Sequence, residues 1–64
     1  MTEKQLKYII RHYDFDVNNK NIDYLYEISE KIQEDMYFSD WISDYDSYFF
    51  YQELYVNFIK EFNL

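Results

Sequence analysis

The sequence predicts an all-α protein, a small three-helix domain in which residues 1–64 form one unit. Apolar residues recur every three or four positions along three segments, which is typical of amphipathic helices. Gly and Pro, the residues that most often mark tight turns, are absent. A low-GC genome would also deplete both, so the periodicity carries most of this prediction. The predicted helices cover residues 3–13, 19–37 and 44–62.

The first helix has a clear predicted start. Thr2 is a suitable N-cap, and Gln5 follows at the spacing of a capping box. The polar segment 14–19 that follows the helix is rich in Asp and Asn, which favour turns. The apolar residues that share one predicted face of this helix are Leu6, Ile9, Ile10 and Tyr13.

The second helix is predicted to start after Asn18 as N-cap. Val17 and Ile22 flank that cap at the spacing of a hydrophobic staple. Residues 37–44 are then expected to form a connection to the third helix. The predicted buried stripe of the second helix consists of Ile22, Leu25, Ile28, Ile32 and Met36.

The third helix is predicted to start at Ser43, with Asp46 at capping-box spacing. The alternative is β-structure, because residues 48–51 and 55–59 have high strand propensity. Helix is favoured because the apolar period is three to four and no turn residues divide the segment. One predicted face of this helix contains Tyr45, Tyr48, Phe49, Gln52, Tyr55, Val56, Ile59 and Phe62. Tyr51, Leu54 and Phe58 widen it, and this surplus predicts a symmetric homodimer through the third helix.

Composition argues against several classes of protein. The chain has no Cys and a single His, His12, so we expect neither a thiolate site nor a metal cluster. Without Gly it cannot form a nucleophile elbow or a glycine-rich phosphate loop. We therefore expect a protein that is not an enzyme and has no cofactor. The sequence shows no signal peptide or membrane span, which predicts a cytoplasmic protein.

The negative charge is concentrated in the middle of the chain. The net charge is −7. Residues 1–20 hold four basic and three acidic side chains, whereas residues 21–53 hold nine acidic side chains against Lys31 alone, a net −8. Such a segment repels nucleic acid and anionic membrane and attracts basic surfaces.

Four of these carboxylates are predicted to share one face of the second helix. At 3.6 residues per turn they fall within about 60°, opposite the apolar stripe. Any surface helix has polar residues there, but such helices usually mix charge signs. Exposed-looking aromatics, including Phe38 and Tyr45, lie among the acids that follow. The candidate partner-binding residues are Asp23, Glu27, Glu30, Glu34, Asp35, Tyr37, Asp40, Trp41, Asp44, Asp46 and Phe50.

In its size, acidity, low-GC composition and aromatic content, which is 25% of the residues, the chain resembles small acidic DNA-mimic inhibitors of phages and mobile elements. These include anti-restriction and anti-CRISPR proteins and inhibitors of uracil-DNA glycosylase, histone-like proteins or the sliding clamp. The resemblance implies an inhibitor of a basic DNA- or RNA-binding host protein, acting in the host cytoplasm without touching nucleic acid or membrane. The alternative is a small helical interaction module, such as an antitoxin, immunity protein or adaptor, that binds through exposed aromatics.

Overall fold

The computed structural model describes residues 1–64 and contains three helices and no strand. They are α1 (Glu3–Tyr13), α2 (Ile22–Trp41) and α3 (Tyr45–Phe62). The predicted all-α three-helix domain is confirmed, including helix rather than strand over residues 48–59. A bilayer-spanning segment, which needs about 20 mostly apolar residues, is not found in any of the three helices.

Helix α1 begins at the predicted capping box. The Thr2 hydroxyl accepts a hydrogen bond from the backbone N–H of Gln5 at 3.1 Å, and the Gln5 side chain accepts one from the backbone N–H of Thr2 at 3.1 Å. The helix ends at Tyr13, and its C-cap Asp14 has a left-handed φ of 53°. Asp tolerates that conformation better than most residues, so the segment after Tyr13 turns without glycine.

Helix α2 begins three residues later than predicted. Asn21 is the N-cap, and its side chain accepts hydrogen bonds from the backbone N–H groups of Asp23 and Tyr24 at 3.0 and 3.3 Å. Asn18 instead donates its backbone N–H to the Asp16 carboxylate at 3.0 Å within the preceding turn. Several Asx residues in this segment can each cap a helix, so composition alone did not select the correct one.

The later start also changes the buried stripe of α2. Ile22 was predicted to be buried but is the first residue of the helix and is 50% exposed. The staple between Val17 and Ile22 was predicted around a cap at Asn18, which is not the cap. The other four predicted members of the stripe, Leu25, Ile28, Ile32 and Met36, are buried.

The end of α2 and the start of α3 also differ from the prediction. Helix α2 continues to Trp41, so the connection contains only residues 42–44. Ser43 has a φ of 60°, whereas an N-cap has a negative φ, as Asp44 has at −91°. Asp44 is the cap, and its carboxylate accepts from the backbone N–H of Ser47 at 3.3 Å and from the Ser47 hydroxyl at 2.7 Å.

The core includes a residue that the sequence prediction missed. Phe15 lies in the connection predicted to be a polar turn, but it is buried. Its ring lies edge-on to Phe58 and Phe62, at centroid distances of 5.5 and 5.6 Å, and stacks on Tyr24 at 5.8 Å. The buried cluster consists of Ile9, Phe15, Leu25, Ile28, Ile32, Leu54 and Phe58.

The predicted orientation of α3 is wrong. Leu54 and Phe58, predicted to be surplus, are 0% exposed and lie in the core. Phe49 and Val56, which share the predicted apolar face, are exposed. Apolar residues surround most of α3, so its periodicity does not select one face. The protein's own core covers Leu54 and Phe58, so neither side chain is exposed to a second copy of the chain. The homodimer itself stays a prediction.

The orientation of α3 can be tested by comparing Leu54→Ala with Val56→Ala. Leu54→Ala leaves a cavity in the core and should lower the free energy of unfolding by about 2–5 kcal/mol. A domain of this size has a total stability of only a few kcal/mol, so we expect that variant to be largely unfolded. Val56→Ala should change stability by no more than about 0.5 kcal/mol, because the side chain is exposed. Urea unfolding followed by circular dichroism measures both, and equal losses would contradict this orientation.

Candidate protein-binding surface

The outward side of α2 carries a line of carboxylates. They lie opposite the core residues Leu25, Ile28 and Ile32 of the same helix. The helix rises about 1.5 Å per residue, so the line extends over roughly 17 Å. We call this set the acidic stripe; it consists of Asp23, Glu27, Glu30 and Glu34, all of which are exposed.

The acidic stripe is poorly neutralised within the molecule. Its one ion pair joins Glu27 Oε1 to Lys31 Nζ at 3.8 Å, and both side chains are largely exposed. Exposed pairs of this kind contribute little to stability, about 0–1 kcal/mol. Asp23 lies in the first turn of α2, where the helix dipole favours a negative charge. The stripe therefore stays exposed, with Glu27 as its only carboxylate in an ion pair.

The longer α2 places aromatic residues on the same side of the helix as the acidic stripe. At 100° per residue, Trp41 lies in line with Asp23, and Tyr37 and Phe38 lie within about 60° of that line. Trp41 is 81% exposed, and its ring lies 6.4 Å from that of Phe38. The sequence prediction put Phe38 and Trp41 in a connection, whereas the structure makes them the continuation of the stripe's own helix.

Asp35 does not belong to this surface. It lies about 120° around α2 from Asp23, and its carboxylate accepts a hydrogen bond from the Tyr13 hydroxyl at 2.5 Å. The contact joins α1 to α2 in a partly buried position. Predicted as a partner-binding residue, Asp35 is held in a contact within the fold.

Phe50 and Asp44 also have structural contacts. The Phe50 ring packs edge-on against Tyr8 at a centroid distance of 4.9 Å, which joins α3 to α1, although part of the ring is exposed. Asp44 caps α3, and the hydrogen bonds from the Ser47 side chain and backbone lower the pKa of its carboxyl. Both residues are held by contacts within the fold and lie apart from the acidic stripe.

Asp40 and Asp46 are exposed but lie outside the stripe. Asp40 is about 100° around α2 from the line of Asp23 and Trp41. Asp46 lies in the first turn of α3, beyond the connection. Both add negative charge near the turn. The structure thus groups Asp23, Glu27, Glu30, Glu34, Tyr37 and Trp41, and separates the other five candidates from them.

Three exposed apolar residues near this surface were not predicted as site residues. Tyr26 lies about 60° from Asp23 on α2, so helical geometry alone could have identified it. Ile42 and Phe49 are exposed beside the turn between α2 and α3. No pattern could have identified Phe49, because the apolar residues of α3 do not define which side is buried.

Basic residues lie on α1 rather than on α2. Lys4, Lys7 and Arg11 fall within about 60° of one another on α1, and all three are exposed. They border an open hollow of about 840 Å³ that is lined only by residues of α1 and its N-cap Thr2, so it is a surface depression rather than an enclosed cavity. The molecule therefore carries opposite charges on two different helices.

Two partly buried hydroxyl contacts help to hold α1 in place. Besides the bond from Tyr13 to Asp35, the hydroxyls of Tyr8 and Tyr51 lie 2.8 Å apart. Burial raises the pKa of Tyr13, and the hydrogen bond to Asp35 raises it further. Burial and the hydrogen bond to Tyr51 likewise raise the pKa of Tyr8. The fold therefore favours the protonated form of both hydroxyls.

The surface carries no arrangement that identifies a known class of site. Nowhere do three or more His, Asp or Glu side chains form a group suited to holding a metal ion. No protein-family model matches the chain, and no curated protein or solved structure shows significant similarity to it. We therefore infer function from the residues themselves.

The tyrosine contacts predict loss of stability at alkaline pH. An unfolded tyrosine has a pKa of about 10, and those of Tyr8 and Tyr13 are higher in the folded protein. Their contribution is complete below about pH 10 and decreases as the pH rises from there towards the folded values. Urea unfolding across this range should show the decrease. Tyr8→Phe and Tyr13→Phe should each make it shallower, whereas Tyr26→Phe at an exposed position should not; equal slopes in all variants would contradict the assignment.

Proposed function

We propose that this protein is an inhibitor, of the type that phages and mobile elements encode, that binds a basic DNA- or RNA-binding host protein. The acidic stripe occupies the groove in which that protein holds nucleic acid. The observation that carries the proposal is the exposure of four carboxylates along one side of α2 with Lys31 as their only paired cation. The chain acts by occupying a site, without catalysis or cofactor.

The spacing of the stripe supports imitation of a phosphate strand. Its members are three or four residues apart, which separates them by about 4.5–6 Å along the helix axis. Phosphates on one DNA strand repeat every ~3.4 Å of axial rise. Lysine and arginine side chains are long and flexible enough to accommodate this difference. A basic groove that binds phosphates can therefore contact several members of the stripe at once.

The repulsion within the stripe also favours a basic partner. Like charges three or four residues apart on a helix cost about 0.2–0.5 kcal/mol per pair. Binding to a basic groove relieves this repulsion, since each carboxylate gains a cation. The net charge of −7 accelerates encounter with a basic protein and repels nucleic acid. Binding of this kind weakens as salt concentration rises.

A second candidate function is supported by the exposed aromatics. Trp41 is 81% exposed, and aromatic residues of this type often anchor protein interfaces. The protein would then be an interaction module, such as an antitoxin, immunity protein or adaptor, that binds through Tyr37 and Trp41. Binding through these residues depends little on salt, so salt dependence separates the two candidates.

The stripe can be tested by reversing its charge. The variant Glu27→Lys/Glu30→Lys/Glu34→Lys should no longer displace a duplex oligonucleotide from the target, whereas the wild type should displace it. The targets to assay are purified proteins of the classes named above: a restriction enzyme, a CRISPR nuclease, a uracil-DNA glycosylase, a histone-like protein and the sliding clamp. Displacement is measured by fluorescence anisotropy of the labelled duplex at low and high salt.

The matched control reverses three exposed acids outside the stripe. Glu3→Lys/Glu53→Lys/Glu61→Lys changes the net charge by the same amount and should still displace DNA, if more weakly. Equal loss of activity in both variants would show that total charge, not the stripe, determines binding. If Trp41→Ala abolishes binding while the stripe variant retains it, the second candidate function is correct.

A further inference from the structure

One end of the molecule is covered by exposed apolar side chains. Helix α2 is about 30 Å long, close to the 34 Å longest dimension of the protein, so its last turn lies at one end. The short connection 42–44 brings the first turns of α3 to the same end. We call this surface the apolar end; it consists of Tyr37, Phe38, Trp41, Ile42, Tyr45 and Phe49.

The apolar end is large enough for a protein interface. Its five aromatic residues are between 59 and 81% exposed. Such side chains have about 150–250 Å² of surface each, so together they expose roughly 650 Å². The largest apolar patch on a typical monomer covers about 300–600 Å², and a standard interface buries about 800 Å² on each partner. The aromatic surface exposed near this end is therefore comparable in area to one side of a standard interface.

The core of the single chain is small by comparison. Eight hydrophobic residues are buried, whereas eleven large hydrophobic residues are exposed. Domains of this length gain little stability from one core and commonly add a disulfide, a metal or a second subunit. The chain has no Cys, and no group of side chains in it is suited to a metal ion. Burial of the apolar end against another chain would supply the missing apolar contact.

We propose that the apolar end binds the apolar end of a second copy of this chain, forming a symmetric dimer. A two-fold axis near the turn between α2 and α3 places the same apolar residues on both sides of the contact, which is how isologous dimers are built. The acidic stripe ends at Glu34, before Tyr37, and stays outside the contact. The dimer thus carries two acidic stripes and can engage two basic sites, or one long one, with increased avidity.

The charge of the two copies determines how the dimer responds to salt. Each copy has a net charge of −7, so the copies repel each other at low ionic strength. Added salt screens this repulsion and leaves the apolar contact in place, so dimerisation strengthens with salt. The proposed binding to a basic protein weakens with salt. The two proposals therefore fail independently of each other.

The dimer is tested with the purified full chain alone. Sedimentation equilibrium from low micromolar to near-millimolar concentration should show the mass rising from that of one chain to twice that value. Trp41 is the only tryptophan, so fluorescence reports directly on this surface, and its emission should shift to shorter wavelength in parallel with the mass. Both transitions should move to lower concentration when salt is added.

Variants locate the contact. Phe38→Gln/Phe49→Gln retains Trp41 and should dimerise at least about tenfold more weakly. Tyr26→Gln changes an exposed aromatic outside the apolar end and should dimerise like the wild type. Circular dichroism checks that each variant keeps its helices. A single-chain mass with unshifted emission at every concentration would overturn the proposal, as would undiminished dimerisation of the double variant or growth beyond two chains.

Discussion

The structure depends on the burial of Leu54 and Phe58 beneath α2. These two residues form one cluster with Leu25, Ile28 and Ile32, and Phe15 from the first connection closes it against Phe58. Their burial fixes the rotation of α3, and the same cluster fixes the rotation of α2. Because the apolar side of α2 faces this cluster, its carboxylates must face outward. The acidic stripe is thus a direct consequence of how the core packs.

Two hydroxyl contacts attach α1 to the other helices, and one of them involves the carboxylate of Asp35. Tyr13 donates to Asp35 on α2, and the Tyr8 and Tyr51 hydroxyls meet between α1 and α3. A partly buried carboxylate needs a donor of this kind, since burial without one is costly. Asp35 therefore contributes to the fold. The acids available to a partner are those whose carboxylates neither accept an internal hydrogen bond nor cap a helix.

Local chemistry made part of the fold predictable from sequence. The capping box of α1 involves neighbouring residues only, and the acidic stripe follows from helical geometry once α2 is identified. The start of α2 was less predictable, because Asn18 and Asn21 are both suitable caps and the turn around Asp16 decided between them. The buried side of α3 and the burial of Phe15 depend on contacts between distant residues. Neither the secondary-structure propensity of the residues nor the spacing of the apolar residues along the chain reveals these contacts.

The two proposed binding surfaces lie along α2, with exposed carboxylates towards its start and exposed apolar residues at its end. The most direct measurement is NMR mapping of the labelled chain during titration with a basic DNA-binding protein such as a histone-like protein. Amide signals of residues 23–34 should shift, and added duplex DNA should return them to their free positions. Shifts confined to α1, or shifts that persist when excess DNA is added, would contradict binding through the acidic stripe.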